Sequence, residues 1–154
     1  MKLEIKVIEM KSESALAIRE VVPNAQIGSK MGQIFGELMA YFGRSEVIMT
    51  GPPFALYHDH DNEKTDMEVG FPVAGPQKGE GRVKPCTLPG GKTVTATHVG
   101  PYEKVVDTYT EMQKWILAKG YKPKKVMWER YLNGPGTAKD PSEYITEVFW
   151  PIIE

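Results

Sequence analysis

The sequence holds a single cysteine, Cys86, which excludes an intrachain disulfide and points to a reducing interior, so a cytoplasmic location is expected. No apolar run is long enough to cross a bilayer as a helix, so no membrane partner is expected. Charge of one sign is missing as well. Lys+Arg 19 against Asp+Glu 20 leave a formal net charge of -1, whereas a nucleic-acid surface needs a clustered basic excess, so no direct nucleic-acid contact is expected. The lysines that do gather, Lys119, Lys122, Lys124 and Lys125, suit the end of a helix and its following loop. There is no Gly-x-Ser-x-Gly elbow. None of the glycines follows a strand in a phosphate-cradling pattern, so nucleotide binding gains no support and no cofactor is expected. At 154 residues, the chain suits one well-packed domain better than two.

What is present is periodic. Leu3, Ile5 and Val7 alternate with Lys2, Glu4 and Lys6 in an opening strand that does not resemble a signal peptide, and Ala15 to Val22 reads as a second strand stopped by Pro23. Ile27, Met31, Ile34, Phe35, Leu38, Met39 and Phe42 then recur at helical spacing up to Gly43. Gly28, Gly32 and Gly36 line one side of that helix, which predicts close packing against a sheet. Strands follow at Phe54–Tyr57 and Met67–Val73.

The same order then returns. Thr93–Val99 is a strand, and Tyr102, Val105, Val106, Tyr109, Met112, Ile116 and Leu117 form a second amphipathic helix stopped by Gly120. Strands at Trp128–Leu132 and Thr146–Ile152 complete the repeat, with Glu68–Val73 matching Glu147–Ile152 and Tyr57 matching Tyr131. The expected fold is α+β: a duplicated β-α-β-β unit with halves of about 1–78 and 79–154. The expected sheet is mainly antiparallel, with two helices on one face and a central groove. Val83–Leu88 is expected to hairpin through Pro89-Gly90-Gly91 onto the strand beginning at Lys92. The loop holding Gly134-Pro135-Gly136 and Asp140-Pro141 is a candidate pocket rim.

Glu129 and Glu147 sit inside apolar strands, where a carboxylate is costly without partners, or else lie on a solvent face. Two such residues among rings suggest an acidic, aromatic-lined site suited to an organic cation. Alternation puts Glu129 with Tyr131 and Glu147 with Phe149, and both pairs are expected to face the pocket. The pair could also do acid/base work, and sequence does not separate the two roles. His58-Asp59-His60-Asp61, with His98, has some look of a metal site. Its place at a strand end, among residues that bond their own backbone, argues for a turn, and no metal is expected.

At these residues the chain resembles a known family. His98-Val99-Gly100-Pro101-Tyr102-Glu103, Trp115-Ile116, Gly120-Tyr121-Lys122-Pro123, Trp128-Glu129-Arg130-Tyr131-Leu132, Asp140-Pro141, Thr146-Glu147-Val148 and Pro151-Ile152 together resemble the GyrI-like small-molecule-binding domain. In the first half the resemblance rests on Gly51-Pro52-Pro53, Tyr57-His58-Asp59 and Glu68 to Val73. That family includes a gyrase-inhibitory protein and the effector-binding halves of AraC-type and MerR-type multidrug-responsive activators. The resemblance implies binding of hydrophobic, cationic, aromatic small molecules by Glu129 and Glu147, with Tyr57, Tyr102, Tyr131 and Phe149 as walls. It also implies two alternatives: hydrolysis of cyclopropane-bearing toxins with Glu129 or Glu147 as base, or a protein partner such as DNA gyrase or a separate regulator. No helix-turn-helix segment is read in the chain, so stand-alone binding without a DNA-binding domain is expected.

Overall fold

The computed structural model describes residues 3–134 and 137–153. Lys2 of the opening strand, and Pro135 and Gly136 of the expected rim, lie outside the described residues. The elements in chain order are β1 (Ile5–Met10), β2 (Glu13–Pro23), α1 (Ile27–Arg44), β3 (Phe54–His60), β4 (Lys64–Pro72) and β5 (Lys84–Leu88). They continue with β6 (Gly91–Val99), α2 (Val105–Ala118), β7 (Lys122–Pro123), β8 (Met127–Tyr131) and β9 (Ile145–Ile153). The pairs β1–β6, β2–β4, β2–β5, β3–β4, β6–β9, β7–β9 and β8–β9 are antiparallel, which makes this an α+β protein with a mainly antiparallel sheet.

Two compact units divide after Lys11 and after Pro89, whereas the halves read from the sequence meet at 78/79. The difference comes from the leading strands. β5 was expected to hairpin onto β6, but it pairs with β2, Ala15 opposite Cys86. β6 instead takes β1 as its neighbour, Val7 opposite Val94. Each repeat therefore contributes its first strand to the other repeat's unit.

In the Ser12–Pro89 unit, strand order is β5-β2-β4-β3. Leu16 lies opposite Phe71 and Ile18 opposite Val69, all buried. α1 covers that face through Ile34, Leu38, Tyr41 and Phe42, and Phe42 meets Phe71 edge-on with centroids 5.5 Å apart. Gly70 admits no side chain, because a Cβ there would lie 2.1 Å from the Leu16 carbonyl oxygen. Buried Phe54 lies opposite it on β3.

Gly28, Gly32 and Gly36 do not pack as the sequence suggested. A Cβ at any of them meets nothing within 4 Å, so this stripe of α1 faces open space. Helical spacing alone could not distinguish a close-packed glycine face from a solvent face.

In the other unit, strand order is β1-β6-β9-β8, with β7 also on β9. α2 follows a 3-10 turn at Tyr102–Lys104 and buries Thr108, Met112 and Ile116. It ends where Gly120 takes φ 81, which lets Tyr121 N donate to the Ile116 carbonyl at 3.0 Å.

Candidate functional site

Glu129 is 3% exposed. A carboxylate that deep needs hydrogen-bond donors, and two tyrosines supply them. Tyr131, two residues along β8 and so on the same face, donates from its hydroxyl to Oε1 at 2.9 Å. Tyr109, reaching down from α2, donates to Oε2. Both donors are neutral hydroxyls, which orient the carboxylate oxygens without adding a charge of their own.

Rings continue outward from this base. Tyr102 meets Tyr131 edge-on at 5.7 Å and stacks on Tyr144 at 4.9 Å with 28° between planes. Its hydroxyl donates to the Asn133 carbonyl at 3.4 Å, and Gly134 leaves room for it, since a Cβ there would stand 3.0 Å from that oxygen. Burial, with Tyr144 and Glu129 nearby, pushes the Tyr102 phenol up, so it is a neutral hydroxyl at ordinary pH. Tyr102 is 38% exposed, so the cluster runs from a closed carboxylate to a ring that meets solvent. Asn133 secures the rim from inside, its amide donating to the Glu143 carbonyl at 3.1 Å and its oxygen accepting from Ile145 N at 2.8 Å.

Of the residues expected from sequence, the structure brings Glu129, Tyr131 and Tyr102 together. It does not bring Glu147 or Phe149 to them. The β8–β9 register pairs Glu129 with Val148, Arg130 with Glu147 and Trp128 with Phe149. Directly opposed residues share a face, so Glu147 and Phe149 lie on the side of the sheet away from Glu129. There Arg130 Nε donates to Glu147 at 2.7 Å, its guanidinium sits 4.9 Å over the Phe149 ring, and Phe149 stacks on Trp128 at 4.3 Å.

Tyr57 belongs to the other unit. It lies opposite Met67 on the α1-covered face, the place that Tyr131 takes beneath α2. Glu68, the counterpart of Glu147, also has a basic neighbour: His58 Nε2 lies 2.7 Å from its Oε1. A bulge between Tyr57 and Asp59 breaks the alternation that would have set His58 and His60 side by side. His98 engages Thr108 and Pro101, and among the described residues no group of three or more His, Cys, Asp or Glu side chains is arranged to hold a metal ion. The Cys86 thiol is pushed up to about 12 by burial and by the nearby Glu68 carboxylate, so it is a protonated thiol, not a nucleophile.

Tyr109 and Tyr144 were missed as site residues. Tyr109 occupies a core position of the α2 pattern, but a tyrosine hydroxyl on a buried face needs an acceptor, and Glu129 inside an apolar strand was the obvious one. Tyr144 sits in the loop before β9, where no periodicity marks it.

The GyrI-like small molecule binding domain matches residues 3–153, and the chain belongs to that family. No curated protein matches it. Among solved structures, the EcmrR C-terminal domain is 24% identical with a TM-score of 0.88, covering 100% of this chain and 99% of that one. Against EcmrR in its DNA complex the identity is 24% and the TM-score 0.86, over 97% of this chain; the chain spans 57% of that longer protein. SAV2435 bound to tetraphenylphosphonium is 18% identical with a TM-score of 0.65, covering 99% of this chain and 94% of that one. A hydrolase from Listeria innocua is 16% identical with a TM-score of 0.64, covering 97% and 92%. These likenesses establish a shared fold. Among the described residues, no helix is long and apolar enough to cross a membrane.

Proposed function

We propose that this small-molecule-binding domain takes hydrophobic, cationic, aromatic compounds, and that Glu129 is the counter-charge at the base of the site. One observation carries the reading: a carboxylate 3% exposed, oriented by two tyrosine hydroxyls, beneath stacked rings that reach solvent at Tyr102. The faces of Tyr102, Tyr131 and Tyr144 offer cation–π contact and apolar area together, while Glu129 supplies the charge. Glu147 and Phe149, on the other face of the sheet, have no direct part in this version of the site. Binding of this kind serves sequestration, or presentation of the compound to a separate regulator or to DNA gyrase.

The test is calorimetric titration with tetraphenylphosphonium, a permanent cation, alongside the neutral triphenylphosphine oxide. A carboxylate about 5 Å from the cation at an effective dielectric near 20 contributes about 3 kcal/mol of attraction. Desolvation offsets part of this, so Glu129→Gln should weaken the cation by roughly tenfold to a hundredfold and barely alter the neutral compound. Failure of the wild-type protein to bind any of a broad panel of cationic dyes would end the proposal. Mass-spectrometric detection of a hydrolysed product from a cyclopropane-bearing compound would instead assign Glu129 the part of a general base.

A further inference from the structure

The His98-Val99-Gly100-Pro101-Tyr102 segment contains a buried imidazole that the ligand-binding reading leaves unused. His98 is 8% exposed, at the end of β6 beneath α2. Its Nε2 lies 3.1 Å from the Pro101 carbonyl and its Nδ1 lies 3.1 Å from the Thr108 hydroxyl. A carbonyl oxygen only accepts, so Nε2 carries the proton, and in the neutral ring Nδ1 accepts from Thr108. Thr108 is itself 4% exposed on α2. The imidazole thus joins the helix to the turn that launches it.

That turn holds the outer ring of the site. Pro101 directly precedes Tyr102, and Gly100, at φ 136, donates from its N–H to the Tyr144 carbonyl at 2.8 Å. Tyr102 and Tyr144, the stacked pair, are therefore tied together through the backbone of the turn that His98 grips. We propose that His98 is a positioning residue: by donating to the Pro101 carbonyl and accepting from Thr108, it fixes the Tyr102 ring in its stack on Tyr144, ready for a ligand. Its value for binding rests on the ligand reading above, while its effect on the ring does not. Holding the ring in advance spares the ligand the cost of ordering it.

The experiment uses the full chain carrying 3-fluorotyrosine, observed by fluorine NMR, with the Tyr102 resonance assigned by its loss in Tyr102→Phe. His98→Gln places an amide NH2 where Nε2 stood and retains the donor to Pro101. His98→Asn reaches only as far as Nδ1 and loses that donor. The Tyr102 resonance should move toward that of free fluorotyrosine in His98→Asn and stay near its native position in His98→Gln, with the Tyr41 resonance unchanged in both. A Tyr102 resonance unmoved in His98→Asn, or displaced equally in His98→Gln, overturns the proposal. If His98→Asn does not fold, Thr108→Val replaces it: a smaller displacement of the same resonance supports the proposal and none overturns it.

The binding arm is a double-mutant cycle with tetraphenylphosphonium. His98→Asn should lower affinity roughly fivefold to tenfold in the native background and not at all once Tyr102→Ala is present. Equal losses in both backgrounds would show that His98 acts elsewhere and would overturn the link to the ring. Should the wild-type protein fail to bind this cation, the ligand reading falls, and the fluorine spectra alone still decide whether His98 holds Tyr102.

Discussion

Replacing Gly32 and Gly36 by alanine should make the protein more stable, and the argument needs only helix chemistry and open space. Both residues lie in the interior of α1, which runs Ile27–Arg44, away from its ends. Glycine there costs the folded state the extra backbone freedom that it surrenders, about 0.5–1 kcal/mol relative to alanine. A new side chain normally risks a clash that cancels the gain, but a Cβ at either position meets nothing within 4 Å. The two sites are one turn apart, and alanine methyls are too small to interfere, so the effects should add to about 1–2 kcal/mol. For a chain of this size that raises the melting temperature by roughly 2–8 °C. Thermal unfolding followed by circular dichroism, with a urea titration to obtain the free energy, measures it. A double variant that melts at or below the native temperature would refute the reasoning and would mean that this stripe of α1 is covered by something in solution.

Two further predictions address the sides of the sheet. Arg130→Gln should lower stability by about 1–2 kcal/mol in urea denaturation, because half-buried Glu147 loses its partner and Phe149 its cover, while tetraphenylphosphonium affinity stays within about twofold. A large affinity loss would place the ligand on the Glu147 side. For Cys86, a thiol pushed up to about 12 has, at pH 8, roughly a thousandth of the thiolate of an ordinary cysteine, so iodoacetamide should label the native protein about a thousandfold more slowly than the urea-unfolded one. The sign follows from the raised value: the folded state favours the neutral thiol, a contribution intact below pH 9 and lost as pH climbs toward 12. Equal labelling rates would show that the thiol is not held down by burial.

The architecture was legible because its signals are local. The spacing of Ile34, Leu38 and Phe42 marks α1, that of Met112 and Ile116 marks α2, alternation marks β1, and the stop at Pro23 marks the end of β2, with boundaries shifted by a few residues at most. Partner choice is not local. Nothing in Lys84–Leu88 states that β5 will pair with β2 instead of turning back on β6.

The candidate site divides in the same way. A carboxylate in an apolar strand identified Glu129, and period-two alternation attached Tyr131 to it. Whether Glu147 shares that face depends on the β8–β9 register, and a shift of one residue reverses every side chain. The long loop between those strands leaves the register open in the sequence, so the two glutamates looked like a pair when they are back to back. The repeat also concealed a difference: Phe149 in one copy is Gly70 in the other, where the Leu16 carbonyl leaves no room for a ring.

The exchanged first strands have a consequence for how the chain is made. β1 leaves the ribosome ahead of the other strands of this fold, yet the strand it joins, Gly91–Val99, is synthesised only after the whole Ser12–Pro89 unit. That unit is continuous in sequence and can complete its own pairing first, while Ile5, Val7 and Ile8 wait without a neighbour. During that interval a nascent edge is open to the wrong partner, and the distance in sequence between β1 and β6 sets how long the exposure lasts.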